Sequence, residues 1–164
     1  MVEPNQLLSV LCEADVAFVI VGGMAAVAQG SSIPTVDLDI CYQRSVDNLE
    51  RLTRALRPLN PGLRGAPVCL PFVLDVRTLK AGLNFTLITV GGDLDLLGEV
   101  AGLGFYEAVK TYAEEIELYG HRLWILTLEG LIRSKQASGR PKDLRALPEL
   151  KALQALKESQ QEQE

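Results

Sequence analysis

A chain of 164 residues, 48% apolar and 23% charged, has the length of one domain and ordinary globular usage, which excludes a disordered or fibrous protein. Its net charge of −5 argues against a nucleic-acid-coating role, which needs surplus Lys and Arg against phosphates, but leaves room for a local basic patch. Three widely spaced cysteines, Cys12, Cys41 and Cys69, with no Cys-x-x-Cys pair and a single histidine, His121, argue against a disulfide framework and a zinc site.

In chain order, Leu7, Leu8, Leu11 and Cys12 recur at helical spacing within 5–14, and the apolar run Ala17 to Val21 follows as a buried strand. Gly22-Gly23 breaks that strand, and the alanine-rich Met24 to Gln29 starts a helix that Gly30 ends. Residues 31–34 read as a loop. Val36 to Tyr42 alternates apolar and acidic residues, so Asp37 and Asp39 share one face of a strand while Val36, Leu38 and Ile40 share the other. Ser45 caps a helix over 46–57, which Pro58 ends; residues 58–71 hold four prolines and two glycines and make an irregular connection.

A short helix is expected around 72–81. Phe85 to Val90 and Asp93 to Leu97 flank Gly91-Gly92, a two-residue hairpin signal that yields a second carboxylate-bearing strand. Residues 105–110 look helical, and Glu115 to Tyr119 and Arg122 to Leu126 bracket Gly120-His121 as another hairpin. Thr127 caps a helix over 128–138, and a leucine-striped helix over 142–157 contains Pro148. His121 and Trp124 read as turn and packing residues.

The pattern gives an α/β (α+β) fold, a small mixed β-sheet flanked by helices, in a single domain over 1–157 with a polar tail over 158–164. No repeat divides it. The longest apolar stretch, Val16 to Ala28, is shorter than a membrane span and is broken by the glycine pair, and the start of the chain carries Glu3 without a basic region ahead of an apolar run. A cytoplasmic protein with no membrane partner is expected.

The strongest local feature is Gly22-Gly23, a thirteen-residue spacer, then Asp37-Leu38-Asp39-Ile40. Glycines between a strand and a helix let a phosphate approach the backbone, and two carboxylates on one strand face hold a hard cation such as Mg²⁺ or Mn²⁺. A third carboxylate from a neighbouring strand permits two ions near one reacting phosphorus, the two-metal arrangement for in-line phosphoryl or nucleotidyl transfer. Asp95, between Leu94 and Leu96, is the first choice for it; Asp93, on the same face beside the turn, is the alternative. An Asp-x-Asp strand face is ordinarily just solvated, and a glycine pair alone is ordinarily a tight turn; only their combination with a second acidic strand favours a metal site. Arg133, Lys135, Arg140, Lys142 and Arg145 form a basic cluster suited to a triphosphate or RNA phosphates, and equally to salt bridges with Glu129, Asp143 or Glu149 on a solvated helix face.

These residues resemble the DNA polymerase β-like nucleotidyltransferase superfamily, especially its small bacterial members related to toxins and antitoxins. The resemblance lies in Val21-Gly22-Gly23, Asp37-Leu38-Asp39, the later Asp93-Leu94-Asp95-Leu96-Leu97, and Leu128 to Lys135 continuing through Gly139 to Leu144. It spans residues 16–150.

The resemblance implies the nucleotidyltransferase fold with a C-terminal helix pair. It further implies Mg²⁺-dependent transfer of a nucleoside monophosphate from a nucleoside triphosphate, ATP among them, to a hydroxyl of a protein, RNA or small molecule. Asp37, Asp39 and Asp95 then hold metal, Asp95 helps activate the acceptor, and Gly22, Gly23, Thr35, Lys135 and Lys142 bind the nucleotide. One departure stands out: many members place a basic residue shortly before the threonine, whereas Thr35 follows Ile33-Pro34, so Arg44 is a candidate substitute. The rival reading is a fold-retaining binding protein without turnover, such as one half of a toxin–antitoxin pair.

Overall fold

The chain is described by a computed structural model over residues 4–67 and 69–164. Glu3 and Val68, which belong to the N-terminal and irregular-connection readings above, lie outside the described residues. The first helix, α1 (Pro4–Glu13), buries Leu7, Leu8 and Leu11 as its spacing predicts. It leads into β1 (Phe18–Val21), whose four residues are all buried. Gly22 and Gly23 do not form a separate turn; they are the first two residues of α2 (Gly22–Ala28).

The second strand, β2 (Leu38–Tyr42), pairs antiparallel with β1 and sets Val21 opposite Asp39. It is shorter than expected at its start, so Asp37 precedes the ladder. Helix α3 (Val46–Leu56) is capped by the Ser45 side chain, which accepts from the backbone N–H of Asn48. A 3-10 turn over Arg57–Leu59 absorbs Pro58.

The connection expected to be irregular contains β3 (Gly62–Leu63), an edge strand paired with the next one. After it come α4 (Val76–Ala81), capped by Asp75, then β4 (Asn84–Thr89) and β5 (Gly92–Leu97). Thr89 pairs with Gly92, so the turn is Val90-Gly91, one residue earlier than the glycine pair suggests. Gly92, with φ +112°, takes the left-handed conformation at the start of β5, and the Thr89 hydroxyl braces the turn: it donates to the Gly92 carbonyl (2.8 Å) and accepts from the Gly91 N–H (3.0 Å).

A two-stranded ribbon, β6 (Glu99–Val100) with β7 (Gly104–Phe105), precedes α5 (Tyr106–Lys110). The last hairpin joins β8 (Ala113–Leu118) to β9 (His121–Leu126). Leu118 pairs with His121, so its turn is Tyr119-Gly120, again one residue early. Both carry positive φ, 52° and 78°, the conformation that matches the right-handed twist of the flanking strands. Helix α6 (Leu128–Ser138) is capped by Thr127, and α7 (Pro141–Gln161) runs through Pro148 and continues past the start of the expected tail.

Across the described residues the strands form a mixed seven-stranded sheet in the order β3-β4-β5-β2-β1-β9-β8. Only β2–β5 and β1–β9 are parallel neighbours. Leu38 and Ile40 of β2 and Leu94 and Leu96 of β5 are fully buried and join α1 and α3 side chains in one core. Buried Asn48 ties α3 to the sheet: its side chain accepts from the Ala17 N–H (2.7 Å) and donates to the carbonyls of Ala17 (3.0 Å) and Gln43 (2.8 Å). Among the described residues no helix is long and apolar enough to cross a membrane.

Candidate active site

The parallel register of β2 and β5 sets Asp39 level with Asp95, and adjacent strands lie about 4.8 Å apart. Asp37, two residues before Asp39, presents its side chain to the same face. One carboxylate oxygen from each of Asp37, Asp39 and Asp95 lies within 4.8 Å of the other two. Asp93 lies two residues before Asp95, near the start of β5 and opposite Ile88, and is not in this group.

Crowding three carboxylates has an electrostatic consequence. Asp39 has its pKa pushed up to about 7, first by burial, then by the charge of Asp95 and a hydrogen bond to it, then by Asp37; Lys142 pulls weakly the other way. The Asp39 Oδ1 atom is buried and has no hydrogen-bond partner. A buried oxygen without a donor is costly, and an oxygen-seeking divalent cation placed among the three carboxylates would satisfy it. The donor set therefore fits Mg²⁺ or Mn²⁺.

Gly22 lies against this cluster. Its φ is +64°, and a Cβ there would collide with the Asp39 carboxylate. At Gly23 an added Cβ would stand 2.6 Å from Thr35 Oγ1, and that hydroxyl donates to the Asp37 carbonyl (3.0 Å). The glycine pair thus admits two side chains of the site itself. Gly22→Ala is expected to lower stability by about 2–3 kcal/mol through left-handed strain and the clash. A urea midpoint equal to that of the parent would show that Asp39 can swing aside freely.

The C-terminal helices supply a basic wall. Asp143, in the first turn of α7, is buried; its side chain accepts from Ser138 (2.8 Å) and Arg140 (2.6 Å) and stands 3.4 Å from Lys135 Nζ. Burial alone would raise its pKa, but those two hydrogen bonds and the Lys135 charge outweigh it and hold the carboxyl below its usual range. Asp143 so clasps α6 to α7 and aims Lys135. Glu149 of α7 anchors the 31–34 loop, accepting from the side chains of Ser31 and Ser32 and the Ser32 N–H.

Between loop and helices opens a cavity of about 400 Å³. Gly22, Gly23, Thr35, Asp37 and Asp39 form its floor, Lys135, Arg140, Lys142 and Arg145 one wall, and Ile33, Pro34 and Val36 an apolar rim. A smaller cavity of about 190 Å³ adjoins it, sharing Gly22, Asp39, Lys135, Arg140 and Asp143 and adding Leu97, Glu99 and Leu131. Arg133 turns away and stacks on Tyr112, 5.3 Å from its ring centre. Arg44 is not at the site: it follows β2 at the end opposite Asp37 and donates to the Tyr42 hydroxyl (2.6 Å).

No family model matches the sequence, and no curated protein does. Solved structures do match. A Thermotoga maritima protein assigned as a nucleotidyltransferase aligns over 99% of this chain and 96% of its own, at 17% identity and a TM-score of 0.51. The lincosamide antibiotic adenylyltransferase LnuA, in its lincomycin-bound form, aligns over 92% of this chain and 96% of its own, at 14% identity and a TM-score of 0.58. This chain has the nucleotidyltransferase fold.

Within this nucleotidyltransferase fold the structure brings Gly22, Gly23, Thr35, Asp37, Asp39, Lys135 and Lys142 to one cavity and Asp95 to its acidic edge. Sequence reasoning missed Arg64. Just after β3, its guanidinium lies 2.7 Å from Asp95, 3.4 Å from Asp93 and 3.6 Å from Asp37. Burial works against its charge, but Asp95, then Asp93 and Asp37, more than compensate and raise its pKa. Nothing in the pattern around Arg64 signalled this, because a Pro- and Gly-rich stretch carries no periodicity. Buried Asp143 was read only as a surface salt-bridge partner; its place three residues after Arg140 and eight after Lys135 was the available clue.

Proposed function

We propose that this chain is a metal-dependent nucleotidyltransferase that moves a nucleoside monophosphate from a nucleoside triphosphate to an acceptor hydroxyl. The observation that carries the reading is the convergence of Asp37, Asp39 and Asp95 at the edge of a cavity walled by Lys135, Arg140, Lys142 and Arg145. Acidic residues beside a basic wall suit a substrate that arrives as a cation-bound polyphosphate, since each half of the site then meets its opposite charge.

Asp37, Asp39 and Asp95 would hold Mg²⁺ or Mn²⁺, which when bound offsets the charge that builds on phosphate oxygens during transfer. Lys135, aimed by Asp143, and the more exposed Lys142 would bind the triphosphate, with Gly22-Gly23 and Thr35 flooring the phosphate path. Ile33, Pro34 and Val36 offer an apolar rim for the base. The acceptor oxygen attacks the α-phosphorus, the bond to the bridging oxygen breaks, pyrophosphate leaves and the hydroxyl proton passes to Asp95. Positioning of both reactants together with electrostatic stabilisation accounts for the rate in such a reaction.

The test is incubation with each α-labelled nucleoside triphosphate and Mg²⁺ or Mn²⁺, offering a protein, an RNA and small hydroxylated molecules as acceptors. Label transfer matched one-for-one by pyrophosphate release is expected, and Asp39→Asn should reduce it by about a thousandfold or more. Silence with every triphosphate and acceptor class would move the chain to a binding role.

A further inference from the structure

Arg64 is the cation of the site that the transfer reaction leaves unused. Its backbone N–H donates to the Thr86 carbonyl (3.0 Å), which pins it at the end of β3. From there the guanidinium reaches across β4 to the acidic face of β5. Nη2 donates both to the Leu87 carbonyl (2.8 Å) and to Asp95 Oδ1 (2.7 Å), Nε faces Asp93 and Nη1 faces Asp37.

The four carboxylates are therefore not equivalent. Asp37, Asp93 and Asp95 each turn an oxygen toward one planar cation, whereas Asp39 stands outside its reach with a buried, unpartnered Oδ1. A guanidinium carries only donors and a permanent charge. It takes up part of the capacity of Asp95 Oδ1 and repels any cation brought beside it. What stays open is the side of the cluster that faces Asp39, Gly22 and the large cavity.

We propose that Arg64 is a resident second cation of this site, occupying its Asp93–Asp95 side, so that the chain takes a single divalent ion on the Asp37–Asp39 side. The inference rests on the metal-site reading above. It makes Arg64 the counterpart of a second metal ion: it offsets part of the cluster's negative charge and holds one oxygen of Asp95, leaving the other for the ion and the acceptor.

The test uses Mn²⁺ alone, titrated calorimetrically into the metal-free full chain at pH 8. The parent and Arg64→Lys should bind one ion per chain. Arg64→Gln and Arg64→Ala should bind a second ion, or bind the first at least about tenfold more tightly, because a neighbouring positive charge has been removed. Arg64→Gln retains a donor for the Leu87 carbonyl, so the β3–β4 edge has its anchor in that variant. Unchanged or weaker binding in both neutral variants overturns the inference. If binding in that case still disappears with Asp37→Asn and Asp39→Asn, the metal-site reading survives without it; binding indifferent to Asp37 and Asp39 overturns both.

Discussion

Asp39→Asn is expected to stabilise the metal-free protein at pH 8. In the unfolded chain an aspartate titrates near 3.8, whereas folded Asp39 keeps its proton up to about 7. The folded state binds that proton more tightly, so the stability it confers is complete below about pH 4 and disappears as pH rises through about 7. At about 1.4 kcal/mol per pH unit, the span from 3.8 to about 7 sets a ceiling of about 4 kcal/mol. Solvent at the half-open site brings the expected loss to about 2–3 kcal/mol. Urea midpoints taken with a chelator from pH 5 to 8 should fall for the parent and stay level for Asp39→Asn. A level curve for the parent would mean that Asp39 ionises freely and that the carboxylates are not crowded in solution. Saturating Mn²⁺ should flatten the parent's curve too, since a bound dication favours the ionised carboxylate.

The second large effect concerns ligands. With Mg²⁺ and a nucleoside triphosphate at about a hundred times the dissociation constant, the folded state gains about 2.7 kcal/mol, which for a chain of this size raises the melting temperature by roughly 5–10 °C. Asp37→Asn combined with Asp39→Asn should abolish that rise, because the variant lacks two of the three carboxylates proposed to hold the cation. Lys142→Ala should keep the shift from Mn²⁺ alone and lose most of the additional shift from nucleotide. A triphosphate shift that persists in the double aspartate variant would place the nucleotide elsewhere on the molecule.

Much of this architecture was legible because its determinants are local. Period-two alternation put Asp37 and Asp39 on one face, Ser45 and Thr127 announced their helices by the hydrogen bonds that free N–H groups require, and leucine spacing marked the buried stripes of α1 and α3. Both hairpins were legible as hairpins but misplaced by one residue. For the first, the positive φ falls on Gly92 and the Thr89 hydroxyl bridges the turn before it; for the second, Tyr119 took a left-handed conformation that composition does not advertise.

By itself, then, the sequence determined which residues alternate, which cap and where the acidic and basic groups concentrate, since neighbours in the chain decide those matters. Only the tertiary structure decided which carboxylate meets Asp39: Asp95 lies level with it because β2 and β5 run parallel in that register, a pairing between segments more than fifty residues apart. Tertiary structure likewise buried Asp143 between two helices and carried Arg64 from an unpatterned loop into the acidic cluster. Each of these rests on long-range packing that brings distant charges together at low dielectric, where their pairing is strongest and where no local pattern records it.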